Sequence, residues 1–525
     1  MTLPQLSVRQ TIATSKHSPR LLIGFLLSIS ALSVLLPSCG KKNRSDISKV
    51  LYGETKNKAF KDLSSDSFAV VLKKTLESSK AALSNPKLIT AFYEAHDYEP
   101  VLVLQHMPKG QLKTITDYLG KSAAHGLDPE IFKYNTLNAL VAKFYDKKAI
   151  KNKEEAYQQL ADLELLTANS LINYNNALQY GILSPRKIYA NYYTETKRPD
   201  SNTMQRIFAI SDVKTFLDSI QPKDPQYLAL QKALQSGVKD GKMTQEETQR
   251  VVAVNLERLR WKNKPNQSKF VLVNIADFRL DVIDGGKSVL NMKVCVGEGR
   301  NKDYSDNLKE YDENDLKKDR PFSRETPQLN SMIHSVQVNP VWNIPESIAT
   351  NEITKYAAAD RYYLSSHNID VYQDGKKIDD PETIDFSVGN PGKMYSFKQR
   401  PGEENSLGKI KFLFNNQSSV YLHDTPAKSA FNKDMRAVSH GCVRVEQPEN
   451  LAKALFGEGP KFETIREKMA GDNATATDIG LPKKVPVYLT YFTAWADPNG
   501  SLQFRKDVYG LDIVLYTYLQ RLSGS

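Results

Sequence analysis

The chain has 525 residues, 40% hydrophobic and 25% charged, with a formal net charge of +11. A single hydrophobic core rarely grows beyond roughly 250–300 residues, so two or three domains are expected. The positive balance favours acidic partners such as anionic lipid or an acidic polymer. No compact Lys/Arg cluster with interleaved aromatics is present, which argues against nucleic acid.

At the N-terminus, Arg9, Lys16 and Arg20 precede an apolar run over 21–36. That run falls short of the ~20 residues that cross a bilayer. It ends at Leu36-Pro37-Ser38-Cys39-Gly40, which resembles a bacterial lipobox. Residues 1–39 therefore read as an export signal with Cys39 as the lipidated cysteine. The alternatives are a plain secretory signal or an uncleaved anchor. Residues 40–60 are polar and read as a tether. From 61 to 250 the pattern is helical. Phe68, Leu72 and Leu76 fall four apart, and Leu160, Leu163, Thr167, Leu171, Tyr174 and Leu178 follow 3/4 spacing until Gly181. Pro185, Pro222 and Pro225 punctuate further helices.

The character changes near Trp261, and residues 251–525 are assigned to a second, mostly β domain. Apolar, β-branched runs cover 269–275 and 279–283. Asp284-Gly285-Gly286-Lys287 then predicts a hairpin leading into a run that ends at Val296. Residues 301–320 are almost wholly polar and read as an exposed loop. Strand-like runs resume at 332–338, 411–414, 420–423, 485–493 and 502–505. Residues 346–407 interrupt this series with helical and irregular stretches, long enough for a lid. A helix is predicted after Pro448, with Leu451 and Leu455 on one face. Helices first and strands afterwards define an α+β multidomain chain: a helical scaffold domain, then a mostly β domain with an inserted lid subdomain.

The chemistry concentrates in Arg436-Ala437-Val438-Ser439-His440-Gly441-Cys442-Val443-Arg444 and, earlier, Tyr421-Leu422-His423-Asp424. A free thiol with a pKa of about 8.5 is mostly protonated at neutral pH, so Cys442 needs a base such as His423 to act as a nucleophile. The alternative is a zinc site built from His423, His440 and Cys442, but no His-x-x-x-His or Cys-x-x-Cys spacing supports it. Of the three cysteines, Cys295 lies in a strand-like run, where small buried thiols are common. A Cys295–Cys442 bridge is the rival reading.

His423 followed by Ser439-His440-Gly441-Cys442 resembles the signature of the YkuD-type L,D-transpeptidases, which cross-link bacterial peptidoglycan through a cysteine acyl-enzyme. Asn339-Pro340-Val341-Trp342-Asn343-Ile344-Pro345, Gln399-Arg400-Pro401-Gly402, Leu407-Gly408 and the segment 485–491 are similar to the large, scaffold-bearing YcbB-like branch. Ala124-His125-Gly126-Leu127-Asp128-Pro129 and Tyr180-Gly181 resemble that branch's scaffold. Two departures stand out. Residues 234–251 leave no room for the branch's usual peptidoglycan-binding module. Arg444 replaces the Asn of the general family signature, as it does elsewhere in the branch.

The resemblance implies Cys442 as nucleophile, His423 as general base and acid, and the Asp424 backbone carbonyl as the group orienting His423. The Asp424 carboxylate ranks second for that task. Backbone N–H groups around His440, Gly441 and Cys442 are placed to receive an oxyanion, and Gly441 permits backbone angles denied to other residues. Arg444 is a candidate for a substrate carboxylate, or else for a structural ion pair. Ser439, Arg436 and Tyr421 complete the substrate-contact candidates. The implied reaction forms 3–3 cross-links with release of terminal D-alanine. L,D-carboxypeptidase action, D-amino-acid exchange and a cell-wall recruitment role are the alternatives. The implied partners are peptidoglycan stem peptides, cell-wall synthases and, as inhibitors, carbapenem-type β-lactams. No cofactor and no metal are implied. The expected location is the periplasm, lipid-anchored and facing it from the outer membrane.

Overall fold

The computed structural model describes residues 46–261, 263, 265–299, 324–471 and 475–523. The signal segment with Cys39 and the whole of the polar 301–320 run lie outside the described residues.

The tether reading of 40–60 needs correction in its described part. Ile47 and Leu51, one helical turn apart on the Ile47–Thr55 helix, are buried in the main core. The Ser48 hydroxyl bonds the Phe60 carbonyl at 3.0 Å and ties the helix to the next turn. Short polar stretches around the two apolar positions hid them from a composition-based reading.

The helical half follows the sequence closely. Phe68, Leu72 and Leu76 are buried on the Ser65–Ser79 helix. The Lys153–Tyr180 helix is the central spine, buried on several faces and ended by Gly181. It even buries Glu164, whose carboxylate accepts from the Leu102 and Val103 N–H groups at 2.8 Å and from the Tyr93 hydroxyl at 2.7 Å. Burial pushes that carboxyl up to about 7 despite these three donors.

The predicted domain border at 250/251 falls inside one continuous helix, Gln245–Arg260, which opens with a Thr244/Glu247 capping box. Its last turn is buried and polar. Arg260 pairs with Glu257 at 2.7 Å and donates to the His125 carbonyl at 2.7 Å. A C-terminal helix, Leu511–Ser523, went unpredicted. It packs back on the Gln245–Arg260 helix through Arg258 and Asp512, 2.5 Å apart and buried. Residues from both sides of the border thus share one core.

The β half opens with β1 (Lys269–Asn274), β2 (Arg279–Asp284) and β3 (Lys287–Gly297). Gly285 and Gly286 both take positive φ, +57° and +79°, in the two-residue turn between β2 and β3. β4 (Leu329–Val338) leads into β5 (Trp342–Ile344), β6 (Ile369–Gln373), β7 (Lys376–Lys377) and β8 (Ser396–Gln399). The chain then returns as β9 (Ile410–Phe414), β10 (Leu422–His423), β11 (Ala437–Ser439) and β12 (Val443–Val445). The helix predicted after Pro448 forms as Pro448–Phe456, with Leu451 and Leu455 buried. β13 (Thr477–Thr490), β14 (Ala494–Ala496) and β15 (Leu502–Phe504) complete the set.

Nine strands form one sheet in the order β11-β3-β12-β10-β9-β4-β13-β1-β2. β2 pairs with both β1 and β3, so the sheet closes on itself around an apolar interior. The lid is more regular than the sequence suggested. β5-β8-β6-β7 make a separate four-stranded sheet with its own apolar cluster, including Ile348, Ile353, Leu364, Val371 and Phe397. Strands this short carry too few alternations to be read as strands.

Candidate active site

β10 lies between β9 and β12, and the register lines up Lys411, His423 and Arg444 across the three strands. Residues in register share one face of a sheet. Cys442 immediately precedes β12, where the Val443 N–H donates to the Tyr421 carbonyl at 3.1 Å. The parallel pairing therefore brings the thiol and the imidazole, far apart in sequence, to neighbouring positions.

The orientation of His423 follows the sequence expectation. Its Nδ1 bonds the Asp424 backbone carbonyl at 2.5 Å, with the ring buried. The Asp424 carboxylate is engaged elsewhere. It accepts from the Lys409 N–H at 2.9 Å and pairs with the Lys428 ammonium. Gly408 makes room for it, since a Cβ there would sit 2.4 Å from the carboxylate.

Burial works against a resting ion pair. Burial, reinforced by Arg444 and Lys411, pushes His423 down to about 3, against the pull of the Asp424 carbonyl. Burial pushes the Cys442 thiol up to about 11, although Tyr421, Arg444 and Lys411 all oppose it. Both shifts favour the thiol and the neutral imidazole at neutral pH. Alkylation of Cys442 by iodoacetamide should then rise about tenfold per pH unit from pH 6 to 9, tracking the thiolate fraction. A rate already level across that range would contradict this.

The loop before the thiol is braced from several directions. The Ser439 hydroxyl donates to the Cys442 carbonyl at 2.6 Å and accepts from the Gly441 N–H at 3.2 Å. Gly441 takes φ +115°, a region that side chains strongly disfavour. Its carbonyl accepts from the Thr326 hydroxyl at 2.8 Å, which in turn accepts from the Gly297 N–H at 2.8 Å. Among the described residues, the N–H groups of His440 and Cys442 have no hydrogen-bond partner. Both donors are thus unused among the described residues. Gly441 supplies the bend rather than a donor, which corrects its expected part in the oxyanion region.

The lid reaches this loop through one carboxylate. Glu352 contacts His440 Nε2 at 2.6 Å and Arg324 at 2.6 Å. Desolvation opposes its charge, but His440 and Arg324 outweigh it and hold the carboxyl below its usual range. The His440 side chain thus joins its loop to the segment that carries Glu352.

Two substrate-contact expectations are also corrected. Arg436 is buried, with its guanidinium spent on the carbonyls of Phe278 at 3.2 Å, Val294 at 3.2 Å and Lys433 at 2.7 Å. It straps strands together. Ser439 is buried and closes the turn described above. Tyr421 lies against both Cys442 and His423. Its hydroxyl hydrogen-bonds the Cys442 sulfur, and its ring packs edge-on to His423 at 5.6 Å. Arg444 is in no ion pair among the described residues, and its Nε is buried without a hydrogen-bond partner. The structural ion pair weighed for it is not formed among the described residues. Cys295 is a buried free thiol on β3, and Cys442 is free as well. Sequence reasoning missed Lys411, Glu352 and Thr326. Lys411 reads as the solvated side of a half-buried strand, and Glu352 meets His440 across 88 residues.

Residues 268–458 match the L,D-transpeptidase catalytic domain model of the YkuD family, and residues 87–234 match a scaffold domain. The chain thus carries a YkuD-family L,D-transpeptidase catalytic domain behind an N-terminal scaffold domain. It is also similar to a Haemophilus influenzae protein named "Putative L,D-transpeptidase", 28% identical over 331 residues. That match covers 62% of this chain and 61% of the relative's own length.

Proposed function

We propose that this protein is a peptidoglycan L,D-transpeptidase that works through a Cys442 thioester and makes 3–3 cross-links. The observation that carries the reading is the placement of a neutral imidazole, oriented through Nδ1 by the Asp424 carbonyl, beside the thiol. His423 takes the thiol proton as the sulfur attacks the carbonyl of the diamino acid's L-centre in a donor stem. The N–H groups of His440 and Cys442 receive the developing oxyanion. The intermediate collapses with the C–N bond broken, and the terminal D-alanine leaves with the proton held by His423. A side-chain amine of a second stem then attacks the thioester and gives its proton to His423, which returns it to the sulfur. Arg444, without an ion-pair partner among the described residues, is suited to hold a donor carboxylate with two parallel hydrogen bonds.

The same thiol would open carbapenem-type β-lactams and be acylated by them. A lipid anchor on Cys39, facing the periplasm from the outer membrane, and contacts with cell-wall synthases complete the reading. The test is mass spectrometry of products after incubation with purified tetrapeptide muropeptides. A dimer formed with loss of D-alanine supports transpeptidation. Tripeptide alone points to an L,D-carboxypeptidase. Unaltered substrate sinks the enzymatic reading and favours a recruitment role.

A further inference from the structure

His423 has a cation on each side, and only Arg444 lies on the strand that follows Cys442. The other, Lys411, opens into a cleft of 430 Å³ between the lid and the closed sheet. Gln337 and Lys411 line it from the sheet, and Asn343, Asp370, Lys398 and Arg400 from the lid. Three cations thus line the cleft with one carboxylate, and Asp370 is already engaged by Lys377 at 2.9 Å and Arg400 at 3.7 Å. A second carboxylate, Asp478, accepts from the Gln337 amide at 2.9 Å and acts on Lys411 from beside the cleft. Lys398 lies over the Tyr372 ring, 4.5 Å from its centroid. The Lys411 ammonium sits 5.6 Å from the centroid of the Tyr421 ring and makes no hydrogen bond or ion pair among the described residues. A half-buried ammonium with no direct ion pair among the described residues, in a cleft whose lining is net positive, favours an anionic occupant.

We infer that this cleft is the acceptor subsite and that Lys411 binds a carboxylate carried by the incoming amine's own amino-acid end. The inference rests on the transpeptidase reading above. Donor and acceptor must meet at the sulfur from different directions, and Arg444 and Lys411 offer a carboxylate anchor on either side of His423. An α-amino carboxylate anchored at Lys411 presents its amine to the thioester beside the imidazole. The C–S bond breaks and the C–N bond forms. The amine proton passes to His423 and then to the departing thiolate. Water carries no carboxylate, so the same contact raises aminolysis over hydrolysis.

The test uses the full chain in detergent with a tetrapeptide stem donor and two acceptors, glycine and glycinamide. The readout is the ratio of aminolysis to hydrolysis, which does not depend on how fast the thioester forms. Comparing variants cancels the difference in basicity between the two amines. The wild type is expected to favour glycine, and K411M to lower that preference roughly tenfold, the scale of one charge-assisted hydrogen bond. K398M is expected to lower it in the same direction by less. An unchanged preference in both variants overturns the subsite. D-alanine release with tripeptide as the sole product for either acceptor overturns the subsite while leaving the thioester chemistry standing. No D-alanine release by the wild type overturns both readings.

Discussion

Replacing His423 with alanine is expected to lower D-alanine release by about two to four orders of magnitude while leaving the fold intact. The size follows from the thiol. With Cys442 pushed up to about 11, roughly one molecule in ten thousand carries a thiolate at pH 7, so attack depends on a base acting during the step. His423 is the one imidazole in register beside that thiol. Its ring is held through Nδ1 by a backbone carbonyl, an anchor that side-chain substitution at Asp424 does not remove. Asp424→Asn should accordingly cost far less than His423→Ala, since its carboxylate serves the Lys409 N–H and Lys428. Rates of D-alanine release for both variants, with circular dichroism as a fold control, make the comparison. A His423→Ala loss smaller than tenfold would mean that another group moves the proton.

The second large effect concerns stability. Arg258→Met should destabilise the protein by about 3–5 kcal/mol, because it strands a charge in the core. Asp512 is fully buried, accepts from Arg258 and from the Thr493 hydroxyl at 2.7 Å, and lies near the buried Asp507. Asp507 itself accepts the Leu511 and Asp512 N–H groups and thereby starts the C-terminal helix. Without the guanidinium, two neighbouring carboxylates share a site that lacks a compensating cation. The double variant Arg258→Met/Asp512→Leu should recover much of the loss, since it removes both charges together. Urea unfolding midpoints for the single and double variants decide this. Equal midpoints for wild type and Arg258→Met would show that the pair contributes nothing to holding the helices together.

The sequence spoke most clearly where function or backbone geometry demands particular residues. The hairpin at Gly285-Gly286, the long helix ended by Gly181 and the two segments that bring His423 and Cys442 onto neighbouring strands were all legible. Each rests on a local signal or a spaced motif. What stayed hidden depends on contacts between distant segments. Ile47 and Leu51 are too few to announce a helix in a polar stretch, and they become core residues only once the Val101–His106 and Tyr134–Tyr145 helices pack against theirs. The C-terminal helix buries Asp512, whose charge reads as surface until Arg258 is known to face it. Lys411 and Glu352 acquire meaning only when the sheet register and the lid contact are known. Arg436 and Ser439 sit in the right segment, but their donors are turned to the backbone that holds it.

The most direct test of the thioester is rapid-quench intact-protein mass spectrometry during turnover of a tetrapeptide stem. The expected adduct equals the stem less its terminal alanine, localises to the peptide containing Cys442 and is released by hydroxylamine. Steady turnover with no such adduct at any time, together with full activity in Cys442→Ala, would contradict the account.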